Sequence, residues 1–320
     1  MAHALPIASV DLNDYRSSDP QRKQRFVQEL GDSFSSIGFA AVTGHDLDDN
    51  LQSRLFSEVQ GFFALQEDTK RRYEIPGIKG QRGYSAYGAE KARSEKVADM
   101  KEFWQHGQTH AEGDPLQGQD HANVDVAERP DFTPVLCSTY AALESTGRDL
   151  LRAIALYLDL PEHFFDARIQ GGLSILRGIH YPPITVEPQS AVRAAAHEDI
   201  NLITLLMGAS AEGLEVRTND GRWLPIMAPP GYVTLNVGDM LQRLTNKRLV
   251  STTHRVVNPP RERWGQSRYS VPFFLHPRPE MDLSCLPSCV DATHPKQFTD
   301  TTAHDYLQER LREIRASKAS

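Results

Sequence analysis

From about residue 172 to 276 the chain breaks into short β-branched and aromatic runs separated by turn residues, and this follows a first half patterned for helices. The runs are Leu173 to Tyr181, Leu202 to Met207, Gly213 to Val216, Tyr232 to Val237, His254 to Val257 and Tyr269 to Leu275. Each is short for a helix and rich in side chains that pack on a pleated surface. Strands grouped after helices suit an α+β fold, an antiparallel sandwich or jelly roll flanked by helices, better than an alternating parallel sheet. A barrel of that kind holds its site at the mouth.

The helices come mainly from the first third. Phe26, Leu30, Phe34 and Ile37 recur at helical spacing between an Asp19-Pro20 start and Gly38. Phe39 to Val42 reads as a short strand, and Leu51, Leu55, Phe56, Val59, Phe62 and Phe63 form a second helical face. Residues 76 to 131, rich in Gly, Pro, Asp and Gln, read as a long loop region with short elements. A long helix is expected from Val135 to Leu158 through Leu143, Leu150, Leu151 and Ile154, stopping near Pro161. A last one is expected from Thr301 to Ala316 through Tyr306, Leu307, Leu311 and Ile314. The regions are then 1–131 (helical and loop), 132–171 (linking helices), 172–278 (jelly-roll core) and 279–320 (C-terminal loop and helix). No repeat or linker divides them sharply, so one continuous core is the simplest account.

Composition narrows the function classes. With 39% hydrophobic and 24% charged residues the chain is of the ordinary globular kind. A net charge of −7 without a Lys/Arg cluster argues against nucleic acid as a partner and for a small-molecule substrate. The N-terminus lacks a basic start followed by an apolar stretch, and no run is long enough to span a membrane, so a cytoplasmic protein is expected. Cys137, Cys285 and Cys289 are too few for a disulfide framework and read as thiols, with Cys285 and Cys289 only a weak metal motif. Oligomeric state is not legible.

The chemistry concentrates in His197-Glu198-Asp199, His254 and Arg268-Tyr269-Ser270. On a strand, His197 and Asp199 share a face, while His254 lies in the β-branched run Ser251 to Val257 and can approach from across a narrow barrel. Two imidazoles and a carboxylate leave neighbouring positions of Fe(II) open for a chelating co-substrate and for O2. Arg268 and Ser270, alternate residues on the next strand, offer a planar fork and a hydroxyl to a carboxylate.

These residues carry a resemblance that extends over nearly the whole chain. Leu5-Pro6-Ile7, Asp11-Leu12, Gly38-Phe39 through Val42, Gly44-His45, Gly83-Tyr84, Asp99 to Glu102, Tyr181-Pro-Pro183, Ala196 to Asp199, Leu202 to Leu205, Gly213-Leu214, Asn236 to Asp239, Leu241, Thr245-Asn246, Ser251, His254 to Val256 and Arg268 to Ser270 match in order. The chain resembles the isopenicillin N synthase-like branch of the 2-oxoglutarate- and Fe(II)-dependent oxygenases. The resemblance implies a distorted jelly-roll core, Fe(II) held by His197, Asp199 and His254, and the far carboxylate of 2-oxoglutarate held by Arg268 and Ser270 with help from Tyr181. It also implies oxidative decarboxylation to CO2 and succinate coupled to oxidation of an unactivated C–H bond, by hydroxylation or by desaturation or ring closure. Tyr84, Phe103 and Phe274 resemble positions bordering the substrate pocket, and Arg82, Arg93 and Lys101 are candidate partners for a substrate carboxylate. Glu198 and Glu215 depart from a common Thr and Gln, and His180 stands where relatives often have Asn or Tyr. Three other readings stay open: an oxidase of the same family that uses no 2-oxoglutarate, a Zn2+ hydrolase, and a jelly-roll ligand-binding module without catalysis.

Overall fold

The computed structural model describes residues 7–78, 80–90, 98–110, 112–113, 120–188, 190–208, 213–218 and 220–319. Its helices are α1 (Leu12–Tyr15), α2 (Pro20–Ser36), α3 (Asp49–Phe63), α4 (Glu67–Arg71), α5 (Phe132–Tyr157), α6 (Asp166–Ile169), α7 (Asp239–Leu244) and α8 (Ala303–Ala319). The strands of the first half are β1 (Ala8–Asp11), β2 (Phe39–Thr43), β3 (Gly83–Ser85) and β4 (Glu102–Gly107). Those of the second half are β5 (Ile175–Tyr181), β6 (Ala194–His197), β7 (Ile203–Met207), β8 (Leu214–Arg217), β9 (Trp223–Pro225), β10 (Val233–Val237), β11 (His254–Val256) and β12 (Arg268–Leu275). Among the described residues no helix is long and apolar enough to cross a membrane.

The helices start where the side chains direct them. Asp19 and Asp48 cap α2 and α3, accepting from Gln21 N and Leu51 N at 2.9 and 2.7 Å. Pro20 adds a fixed φ at the first position of α2. Beyond α2 the chain reverses at Gly38, whose φ of 75° and approach to the Val250 carbonyl leave no room for a Cβ.

The strands form two sheets, β1-β2-β10-β7-β12-β5-β4-β3 and β6-β11-β8-β9. Only β1 and β2 run parallel among the pairs of the larger sheet. Side chains alternate across this sheet. One face, with Leu176, Leu205, Leu235, Val271 and Phe273, packs on the helices, where Phe62, Trp104 and Phe132 form an aromatic knot. The other face meets the smaller sheet, and Phe103, Ile179 and Tyr181 pack against Ala194 and Val256. This is a jelly-roll sandwich, and its interior is where the site lies.

The interval from 76 to 131, read as a long loop region with short elements, holds strands that its pattern did not name. It contributes β3 and β4, and β4 is buried along its whole length between β3 and β5. The strand β6 was also not among the expected runs.

Candidate active site

Three side chains able to hold a metal converge between the sheets. His197 closes β6 directly across from His254 of β11, and their ring centroids stand 4.5 Å apart. Asp199 lies past the end of β6, so it joins them from the following turn rather than from a shared strand face. Hydrogen bonds fix that turn. The Asp239 N–H donates to the Asp199 carbonyl at 2.8 Å, and the Gly238 N–H donates to the Leu202 carbonyl at 2.9 Å. His197 Nε2 and His254 Nε2 stand 3.7 and 3.8 Å from Asp199 Oδ1, and the three ligand atoms fall within 4.8 Å of one another.

The remaining polar atoms of these side chains are already engaged. His197 Nδ1 faces the Ala195 carbonyl at 2.8 Å and His254 Nδ1 the Thr252 carbonyl at 3.1 Å. A carbonyl only accepts, so the proton sits on Nδ1 and the Nε2 lone pair points at its neighbours. Asp199 Oδ2 accepts from Thr204 Oγ1 at 2.7 Å and Asn236 Nδ2 at 2.8 Å, which leaves Oδ1 turned toward the imidazoles. Burial, then the adjacent His254, holds the His197 imidazole down to about 4. Burial raises the Asp199 carboxyl, but the two imidazoles and the Thr204 and Asn236 donors outweigh it and hold it below the usual carboxylate range. A neutral imidazole and an ionised carboxylate are the forms that bind a divalent cation. The His197 side chain is 40% exposed against 10% for His254, so the cluster opens on one side.

Deeper in the sandwich, Arg268 pairs with Tyr181 and Ser270 with Ile179 across β12 and β5. Arg268 is 1% exposed, its Nη1 donates to Ser270 Oγ at 3.3 Å, and its guanidinium lies 4.9 Å from the Tyr181 ring centroid. Burial depresses its pKa, yet a guanidinium stays charged. The fork, the hydroxyl and the ring therefore share one pocket.

Phe103 and Phe274 also face inward. Between them lies Arg177, 4.4 Å from the Phe103 ring and 5.4 Å from Phe274. Its Nη1 donates to Glu90 at 3.2 Å and its Nη2 to Gln105 Oε1 at 3.0 Å, while Lys101 bridges Glu90 and Asp99 at 3.1 and 2.9 Å. Burial raises the Glu90 carboxyl, but Arg177 and Lys101 outweigh it and pull it to about 2.

Other candidates sit elsewhere. Tyr84 turns to the helix side, packs on Phe62 and donates to Glu102, because strand alternation sets it beside Trp104 in register. Arg82 is ion-paired with Asp120, and Arg93 lies outside the described residues. His180 points away from Tyr181, stacks on Tyr269 and binds Glu102 and Ser267. Glu198 accepts from Thr253, and Glu215 pairs with Arg255. Sequence reasoning assigned no role to Thr204, Asn236, Arg177, Arg193 or Glu90. Thr204 and Asn236 stood within noted stretches, but nothing local marks a residue as the partner of a carboxylate five or 37 positions away.

The family "non-haem dioxygenase in morphine synthesis N-terminal" matches residues 7–128, and the 2OG-Fe(II) oxygenase superfamily matches residues 173–277. A "2-oxoglutarate-Fe(II) type oxidoreductase" of Aspergillus fumigatus is 30% identical over 98% of this chain and 94% of its own. The chain belongs to the 2OG-Fe(II) oxygenase superfamily. A 2OG-Fe(II) oxygenase family protein from Caulobacter crescentus is 44% identical, with a TM-score of 0.87 over 98% of this chain and all of that one. A full-length Neurospora crassa protein solved in complex with alpha-KG is 26% identical, with a TM-score of 0.84 over 98% and 100% of the two chains. The same Neurospora protein has also been solved with alpha-KG together with thymine and with 5-formyluracil. The protein is thus a non-haem dioxygenase that uses Fe(II), 2-oxoglutarate and O2, and its histidine and aspartate cluster suits the iron.

Proposed function

We propose that His197, Asp199 and His254 are the iron ligands, that Arg268, Ser270 and Tyr181 hold the far carboxylate of 2-oxoglutarate, and that the enzyme hydroxylates an unactivated C–H bond of a small, flat, polar molecule. The observation that carries this reading is the placement of a buried arginine and hydroxyl on the strands facing an open metal-ligand cluster. With iron and 2-oxoglutarate bound, oxidative decarboxylation to CO2 and succinate supplies the oxidising power. The chain supplies orientation. Thr204 and Asn236 aim the Asp199 carboxylate, the two backbone carbonyls aim the imidazoles, and the apolar wall of Ile179, Ala194 and Val256 keeps water from the pocket floor. Which C–H bond reacts then depends on where the substrate lies against Phe103, Arg177 and Phe274. Two aromatic rings around a guanidinium suit a planar molecule with hydrogen-bond acceptors, and the Neurospora relative solved with thymine supports that class.

Anaerobic titration of the Fe(II)-loaded protein with 2-oxoglutarate tests the assignment. A visible charge-transfer band is expected with the native chain. Its midpoint should move to roughly tenfold or higher 2-oxoglutarate in Arg268→Ala, because a charge-assisted bond worth about 1.5–3 kcal/mol is lost. An unchanged midpoint rejects the clamp, and full iron binding by His197→Ala together with Asp199→Ala rejects the ligand set.

A further inference from the structure

A second guanidinium approaches the same tyrosine ring as the first. Arg193, just before β6, is 2% exposed, and its side chain lies 5.9 Å from the Tyr181 ring centroid, the same ring that Arg268 approaches to 4.9 Å. Its Nη2 donates to the Gln266 carbonyl at 3.0 Å, two residues before Arg268. Its Nε is buried without a partner. Among the described residues no carboxylate pairs with it; the contacts it makes are a carbonyl and a ring. Burial, and then the charge of Arg268, lower its pKa to about 10, which leaves it cationic at neutral pH.

A buried cation without a counter-charge is unfavourable, and a second cation nearby makes it more so. An anion in this pocket would relieve both. The metal end of 2-oxoglutarate is matched by the cluster of His197, Asp199 and His254, so the charge that remains to be met is the far carboxylate.

We propose that Arg193 is a second cationic determinant for that carboxylate, acting with Arg268 so that the pocket selects dicarboxylic over monocarboxylic 2-oxo acids. This rests on the clamp assignment for Arg268. The two guanidiniums approach Tyr181 from separate elements, β12 and the lead-in to β6, and so would tie the two sheets together through the bound anion. Ligand binding is thereby expected to rigidify the sandwich as well as to fill it.

The test is calorimetric binding to the Fe(II)-loaded, oxygen-free protein, with 2-oxoglutarate and with 2-oxopentanoate, whose terminal methyl replaces the far carboxylate. Arg193→Met should weaken 2-oxoglutarate at least tenfold and leave 2-oxopentanoate within about twofold. Arg193→Lys, which keeps the charge and avoids an empty cationic site, should fall between native and Arg193→Met for 2-oxoglutarate alone. Equal loss for both acids, or no loss for either in the two variants, overturns the proposal. If Arg268→Ala also leaves 2-oxoglutarate unaffected, the clamp itself is wrong; if only Arg268→Ala weakens it, the clamp stands and Arg193 has no part in it.

Discussion

At the scale of single residues the cluster is built by engaging the polar atoms turned away from the proposed metal position. The imidazoles do this with backbone carbonyls, whereas Asp199 needs two side chains, Thr204 from β7 and Asn236 from β10. Asn201 Nδ2 in turn donates to Thr204 Oγ1 at 2.8 Å, so the threonine hydroxyl spends its proton on Asp199. Removing either donor loosens the hold on Asp199 without removing a proposed ligand. Thr204→Val and Asn236→Ala are each expected to lower metal affinity about 10–100-fold, read by anaerobic Fe(II) titration. Native affinity in both variants would show that the carboxylate is held by other means. The three proposed ligands stand out in the sequence because His-x-Asp and a distant histidine are a recognisable set. Their supports do not, because they depend on which strands become neighbours.

At the scale of elements, what the sequence disclosed depended on how many faces of an element are buried. Helices α2, α3 and α5 show one apolar face and were read at nearly their true positions, as were β5, β7, β10 and β12. Strand β4 was not. Its outward residues Glu102 and His106 are polar yet lie on the helix side, so Glu-Phe-Trp-Gln-His lacks the alternation of a half-exposed strand. Glu102 is tolerated there because Lys70 Nζ donates to it at 2.6 Å, His180 Nδ1 lies 2.7 Å away and Tyr84 adds a third bond. Lys70 and Glu102 are 6% and 3% exposed. Glu102→Ala would leave the ammonium only the half-exposed Glu67, 3.2 Å away, and deprive His180 and Tyr84 of their acceptor, at a cost of about 1–3 kcal/mol. Guanidinium unfolding measures it; a loss under about 1 kcal/mol would mean that the network relaxes at no cost. His180 and Tyr181 are adjacent on β5 with opposite faces, so this network also braces the strand that carries Tyr181, proposed above to help hold the co-substrate.

At the scale of the whole molecule, helical and jelly-roll regions share one core. The first 131 residues supply β1, β2, β3 and β4 of the eight-stranded sheet, and β2 lies against β10 while β4 lies against β5. A boundary drawn at 131 therefore marks a change of pattern and not a separable body. In such a molecule, protonating one buried group is felt by the global transition. His106 of β4 is 1% exposed, touches Cys137 of α5 at 3.5 Å and stands edge-on to Tyr140. Burial, then Arg82, lowers its pKa to about 3. In the unfolded chain it titrates near 6.5, so between those values the unfolded state holds the extra proton. The stability it confers is complete above pH 6.5 and is lost as pH falls toward 3, about 3 kcal/mol of it by pH 4. Asp239 works the other way, since burial raises its carboxyl to about 7. Comparing native protein with His106→Gln cancels that term and those of His197 and Asp199. Urea unfolding from pH 7 to pH 4 should show the native protein losing stability more steeply than the variant, with the gap between them narrowing by that amount. Parallel profiles would mean that His106 is protonated without cost in the folded state, and hence that water reaches it between β4 and α5.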